Sequence, residues 1–159
     1  MSFRGHHRQA EAQREWETVA ARFFGRFEHA LDDKGRVILP AKFRAHFERG
    51  GYVTKHLDGC LAVWTDEVFE KQMAAMEEAQ AQGRDQRNLA RVWSAGSEEI
   101  EVSASGRMAI PRHLREFAQL EGEVLVIGAV DRVELWNPSV WNEKVHPSEQ
   151  TLMDGVDPE

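Results

Sequence analysis

The sequence predicts an α+β protein: a β-barrel-like body made of two pseudo-twofold-related β-hairpin/helix halves, with additional packing helices. Three observations carry that prediction. The stretch "LDDKGRVILPAKFR" (Leu31–Arg44) returns as "VSASGRMAIPRHLR" (Val102–Arg115), and self-similarity at a fixed spacing marks a duplicated structural unit. Each copy runs through a Gly-containing turn into a short apolar strand and a Pro-started basic segment, the order of a hairpin followed by a helix. Units of about 50 residues bury too little surface to be stable alone, so the two are expected to interlock around one core.

The elements follow in chain order. Residues 1–22 hold four arginines and three glutamates; Trp16, Val19 and Phe23 fall at helical spacing, and the segment is expected to be a peripheral or flexible extension. "RFEHAL" alternates like a strand and enters the turn "DDKG", where Gly35 can supply the positive φ of a tight hairpin. Arg36–Leu39 reads as the returning strand. Pro40 then suits the first position of a helix over "AKFRAHF", with Phe43 and Phe47 on one face. "YVTK" and "CLAVW" flank a turn at Asp58 and Gly59 and predict a second hairpin. Thr65 is placed to cap a helix in which Phe69, Met73 and Met76 continue at spacings of four and three, ending near Gly83. A further helix over "RDQRNLARVW" leads into the second copy.

That copy overlays the first 71 residues on: Gly35 falls on Gly106, Arg36 on Arg107, Pro40 on Pro111, Arg44 on Arg115 and Gly51 on Gly122. With a one-residue insertion in the later turn, "LAVW" falls on "VELW", so Trp64 meets Trp136. Asn137 is the expected cap of the closing helix and Pro138 its first residue. The expected organisation is an extension (1–22), a first half with connecting helices (23–94), a second half (95–147) and an acidic tail (148–159).

Composition narrows the classes. The 159 residues are 42% hydrophobic and 30% charged, as in a globular chain. Apolar runs such as Val124–Val130 are too short to cross a bilayer, and no charged segment followed by an apolar one opens the sequence, so a cytoplasmic location and no membrane partner are expected. Cys60 is the single cysteine; it excludes an internal disulfide and is expected to be a small buried hydrophobe. The net charge of −7 disfavours a phosphate-bearing partner on average. The sign is segregated, however: Lys34, Arg36, Lys42 and Arg44 lie together with no acid among them, while the end of the chain holds Glu149, Asp154, Asp157 and Glu159 and no Lys or Arg.

"FFGRFEHALDDKGRVILPAKFR", "GRMAIPRHLREFAQLEGEVLVIG" and "ELWNPSVWNE" together resemble the MraZ family, over roughly Phe23 to Pro147. The resemblance implies a bacterial transcriptional regulator associated with the division and cell-wall gene cluster. It also implies AbrB-like swapped-hairpin DNA-binding units, two per chain, and assembly into closed rings. The family signature, an Asp, three residues and an Arg, is intact as Asp32 to Arg36; in the second copy Ser103 stands where the acid is expected, before Arg107. Serine accepts a hydrogen bond but cannot form a charge-assisted pair with an arginine fork. The two halves are therefore expected to contribute unequally.

An arginine leaving a tight turn rides on rigid strand geometry, and its planar donors can pair with guanine O6 and N7 together. Arg36 and Arg107 are thus the candidates for base or groove contacts. Asp32, Gly35, Ser103 and Gly106 are the turn and orienting residues, and Lys34, Lys42, Arg44, Arg112 and Arg115 are candidates to hold phosphates. The alternative is that both arginines merely brace turn carboxylates and carbonyls. Because one acidic chain should bind DNA weakly, an oligomer engaging spaced direct repeats of double-stranded DNA is expected, with the protein associated with the nucleoid. Phe27, Leu39, Trp64 and Trp136 could cover a neighbouring copy or form intrachain core.

Other chemistry is poorly supported. Cys60 and His56 flank a turn without a thiol-enzyme signature, "SASGR" lacks the glycine of a nucleophile elbow, and His6, His7 and His29 lack partners at zinc spacing. No metal, cofactor, catalysis or small-molecule substrate is expected. Beside the DNA-binding regulator stand a ring-forming protein-interaction or antitoxin-like module and, more distantly, an uncharacterised hydrolase.

Overall fold

The computed structural model describes residues 21–155. β1 (Phe23–Ala30) leads through the first turn to β2 (Arg36–Ile38), and α1 (Ala41–Arg44) runs into a 3₁₀ turn over Ala45–Phe47. β3 (Gly51–Lys55) and β4 (Leu61–Trp64) precede a helical pair, α2 (Asp66–Gln80) and α3 (Arg84–Gly96). The second copy supplies β5 (Glu98–Ile100), β6 (Arg107–Ala109), α4 (Arg112–Phe117), β7 (Glu123–Val130), β8 (Val133–Trp136) and α5 (Pro138–Lys144), and α6 (Pro147–Asp154) follows. Helix starts lie where the capping residues put them. Asn137 Oδ1 accepts from the backbone N–H of Ser139 at 2.8 Å and of Val140 at 3.3 Å, satisfying donors that a helix start leaves unpaired. Thr65 occupies the corresponding position without a side-chain bond. Pro40 and Pro111 stand one residue earlier than expected, as caps with extended ψ rather than as first helical residues.

Six strands form one antiparallel sheet in the order β1-β7-β8-β4-β3-β5, and β2 and β6 form a separate two-stranded ribbon. Alternation along the central strands divides their side chains between two faces. Leu61, Val63, Val124, Val126, Val133 and Leu135 face the main core, which the ribbon and the helical turns close with Val37, Leu39, Phe43, Phe47, Met108, Ile110 and Leu114. Ala62, Trp64, Leu125, Ile127 and Trp136 point the other way, covered by Val68, Phe69 and Trp93 of the helical pair and by Val140 and Trp141 of α5. The sheet is therefore buried on both sides, which is why "LAVW" is apolar throughout and why the one acid of "VELW", Glu134, is itself buried.

Two expectations change here. The sheet is open, with β1 and β5 at its edges, so the β-barrel-like body does not close as a barrel. Nor does β2 return along β1. β1 pairs along its whole length with β7, from Phe23↔Val130 to Ala30↔Glu123, while β2 crosses to β6 of the other half. The pairing that prevails sets Val37 opposite Met108, both buried in the common core; burial of two such side chains contributes about 3–6 kcal/mol that neither half would gain alone. The hairpin expected over "YVTK" and "CLAVW" is present as β3 and β4, with Tyr52↔Trp64 at its open end.

Leu39, Trp64 and Trp136 are intrachain core rather than cover for a neighbour, and Phe27 is partly buried against the same core. Cys60 is buried as expected, and burial pushes its thiol pKa well above the ordinary value. The expected acidic tail starts as helix α6, and residues 156–159 lie outside the described residues. So do residues 1–20 of the expected N-terminal extension.

Candidate nucleic-acid interface

Both turns close in the same way. Gly35 N–H donates to Asp32 O at 3.0 Å and Asp32 N–H to Arg36 O at 2.9 Å; 71 residues on, Gly106 N–H donates to Ser103 O at 2.8 Å and Ser103 N–H to Arg107 O at 3.0 Å. Each turn then connects across the ribbon, through Leu39 N–H to Gly106 O at 2.7 Å and Ile110 N–H to Gly35 O at 3.0 Å. The ladder itself pairs Arg36↔Ala109, Val37↔Met108 and Ile38↔Arg107. Shifting every residue by the repeat spacing returns the same ladder.

The pleat sorts the ribbon's side chains. Val37 and Met108 point inward, so Arg36, Ile38, Arg107 and Ala109 share the outer face. By ordinary strand spacing the Cα atoms of Arg36 and Arg107 stand roughly 8 Å apart on a diagonal. A two-stranded ribbon of this kind fits a major groove about 12 Å wide.

The glycines serve a close approach as well as a turn. Gly35 and Gly106 have φ of 72° and 83°, a region costly for residues with a Cβ. A Cβ on Gly35 would also stand 2.7 Å from the Arg115 guanidinium carbon, and one on Gly106 would collide with Arg44. Each turn is thus covered by the arginine of the opposite half. Arg44 Nε donates to Leu39 O and Arg115 Nε to Ile110 O, both at 2.9 Å. The sequence repeat revealed both arginines but not this crossing; the signal was the invariable pairing of a turn glycine with an arginine nine residues later in both copies.

The first turn is charge-clamped. Asp32 Oδ1 accepts from the backbone N–H of Lys34 and of Arg36, each at 2.9 Å, and Asp32 Oδ2 receives Arg36 Nε at 2.7 Å. The backbone bond from Arg36 leads the effects that hold the Asp32 carboxyl below its usual range. In the second turn Ser103 Oγ accepts Arg107 N–H at 3.0 Å and lies 3.0 Å from Ser105 Oγ. Among the described residues, no carboxylate or carbonyl holds the Arg107 guanidinium.

The remaining cations surround this face differently. Lys34 is exposed at the tip of the first turn. Lys42 Nζ lies 5.0 Å from the Phe27 ring centroid and 5.4 Å from that of Phe43, a cation–π arrangement that restrains it. Arg112 is exposed, with Nε 2.9 Å from Glu116 Oε1. On the face of the sheet away from the ribbon, Glu134 is buried where Arg132 Nε at 2.8 Å, Trp136 Nε1 at 2.9 Å and His56 Nε2 at 3.6 Å converge on its carboxylate. Sequence reasoning missed this group, because "DRVELW" reads as strand whichever way its acid points.

Fold and site together define a duplicated α+β protein whose halves are joined by a ribbon with an arginine at each end. The family model described as "MraZ protein, putative antitoxin-like" matches it twice, over residues 22–92 and 94–155, and the chain belongs to the MraZ family. Relatives named transcriptional regulator MraZ include that of Caldanaerobacter subterraneus subsp. tengcongensis, 41% identical over 119 residues, or 75% of this chain and 83% of the relative. The one from Nocardioides sp. is 41% identical over 121 residues, covering 76% and 84%. That of Heliobacterium modesticaldum is 40% identical over 129 residues, covering 79% and 90%.

Proposed function

We propose that the protein is a sequence-specific DNA-binding transcriptional regulator that acts, as an oligomer, on spaced direct repeats in promoter DNA. The observation that carries this reading is the outer face of the β2–β6 ribbon, where Arg36 and Arg107 project from opposite ends of a two-stranded element of groove-compatible width. The name of the relatives, transcriptional regulator, points the same way. Arg36 and Arg107 read base edges, oriented by Asp32 and Ser103 across turns that need Gly35 and Gly106. Lys34, Lys42 and Arg112 hold phosphates, as do the guanidinium nitrogens that Arg44 and Arg115 leave free of their carbonyl bonds. Exchange of the short strands between halves supports the AbrB-like swapped-hairpin reading of the two pseudo-twofold units. The function needs no catalysis and no cofactor. Its setting is the nucleoid, with the division and cell-wall gene cluster downstream of the bound promoter.

The oligomer answers the charge problem. A few cations on an acidic chain give a weak, salt-sensitive contact, and linked copies on repeated sites multiply it. The test is a titration of the protein with duplex from the region upstream of its own gene cluster, beside a scrambled duplex, at two salt concentrations. Preferential binding to the upstream duplex, with log K falling by about 0.9 per phosphate neutralised per decade of salt, is the expected result. Equal binding to both, or none, would overturn it in favour of a protein-interaction or antitoxin-like module.

A further inference from the structure

The apolar stripe of α2 outruns the core. Val68 and Phe69 are buried against the second face of the sheet, but Met73 and Met76, which continue the stripe at helical spacing, are not; Met73 is 38% accessible. Both line a cavity of about 370 Å³ between α2 and α3, over β3. Across from them α3 contributes Ala90 and Ser94, one turn apart. Side chains so small leave open a space that a close-packed interior would fill.

Three aromatic rings line the cavity in one stack. Tyr52 and Phe69 lie with centroids 3.9 Å apart and planes 6° from parallel, and Trp93 follows 5.3 Å from Phe69 at 24°. The charge around them is of one sign. Glu77 and Glu99 are lining residues, and no Lys, Arg or His lines the space. Among the described residues the side-chain bond of Glu99 is the one it accepts from Tyr52 Oη, at 3.4 Å, so neither acid is neutralised by a cation. Burial, and then the charges of Glu99, Asp66 and Glu70, hold the Tyr52 phenol above its ordinary pKa, as a negative field at the rings requires.

We propose that this cavity binds a small organic ammonium ion, its cationic head held by the Trp93 ring and the Glu77 and Glu99 carboxylates, its apolar body against Phe69, Met73 and Met76. Aromatic faces attract a cation within about 6 Å of the ring centroid, more strongly where water is excluded. The volume falls in the range of small-molecule sites, about 300–1,000 Å³, and methionines adapt their shape to what they enclose. An anion would meet two carboxylates. A neutral apolar molecule would cover those acids without pairing them, which is costly. The cavity lies on the face of the sheet away from the ribbon, and the inference is independent of DNA readout.

Benzyltrimethylammonium is the probe, titrated into the full chain by calorimetry and by fluorine NMR of protein labelled with fluorotryptophan. The Trp93 resonance is identified by its loss in Trp93→Leu. Saturable binding of one probe per chain is expected, with the Trp93 resonance shifting and those of the other tryptophans staying in place. Phenylmethanesulfonate, which has the same aromatic body and the opposite charge, should not bind. Spermidine, charged but without a bulky apolar body, should bind several-fold more weakly than the probe. Glu77→Gln and Glu99→Gln each weaken the probe several-fold, and Trp93→Leu, which removes the ring and keeps an apolar side chain, weakens it about tenfold. Circular dichroism checks the fold of each variant; Glu77 is exposed, so Glu77→Gln keeps the test valid should Trp93→Leu unfold. Absence of saturation, equal binding of the sulfonate, spermidine as tight as the probe, or affinity unchanged in the folded variants would overturn the assignment.

Discussion

The two turns share a backbone and differ in one acceptor. In the first, Asp32 takes two backbone N–H groups and the Arg36 guanidinium; in the second, Ser103 takes one backbone N–H and leaves the Arg107 guanidinium unheld among the described residues. Carboxylate and hydroxyl close the turn equally well, since the main-chain bonds are alike in both. What the acid adds is orientation of the side chain that follows. The comparison separates turn formation, which the backbone and glycine supply, from preorganisation of an arginine, which needs the charge.

The largest perturbation removes what the turns have in common. Met108→Ala empties a fully buried position behind the ribbon and is expected to cost about 2–5 kcal/mol of stability, read as a fall in the urea midpoint. An effect near zero would mean that the ribbon is not seated on the core. Gly106→Val comes next: it sets a branched side chain at positive φ and against Arg44, with an expected loss of about 2–3 kcal/mol. The corresponding Gly35→Val should behave alike, because backbone and crossing are shared. A large inequality between these two variants would break the claim that the turns share one backbone closure and one arginine crossing.

Exchanging the acceptors is a smaller change and the sharpest. Ser103→Asp gives the second turn the carboxylate it lacks and is expected to raise affinity for the promoter duplex several-fold. Asp32→Ser lowers it by a similar factor, with thermal midpoints of both variants moving little. The smallest effect lies outside the turns, at His56. Burial, reinforced by the Arg132 charge, holds His56 below its ordinary pKa of 6.5. The unfolded chain therefore binds the proton first, so this stability is present above about pH 6.5 and is lost as the pH falls through the folded value. Urea midpoints at pH 7.5 and 5.5 should differ more in wild type than in His56→Gln.

How far the sequence carried the fold depends on what kind of information each element needed. The two turns, the Asn137 cap and the positions of β1 to β4, β6 and β8 were legible because glycine φ, a capping side chain and runs of apolar residues act locally; β5, over the acidic Glu98–Ile100, carries no such pattern. Strand pairing was not, since "RVIL" has the same pattern whether it lies on β1 or crosses to β6. The gain that decides, Val37 against Met108, lies between residues 71 positions apart. At the site, Arg36 and Arg107 emerged from the repeat. The covering of each turn by Arg115 or Arg44 did not, because the repeated glycine–arginine spacing marks both residues without saying that the arginine reaches the turn of the opposite half.

The central claim is that both ribbon arginines contact DNA and that Arg36 contributes more. The most direct measurement is a fluorescence-anisotropy titration of wild type, Arg36→Ala and Arg107→Ala against the upstream duplex, with oligomer size followed by light scattering. The expected result is a loss of about 1–3 kcal/mol for Arg36→Ala, a smaller loss for Arg107→Ala, and an unchanged oligomer. Affinity unaltered in both variants would contradict the claim and leave the arginines as braces of their own turns.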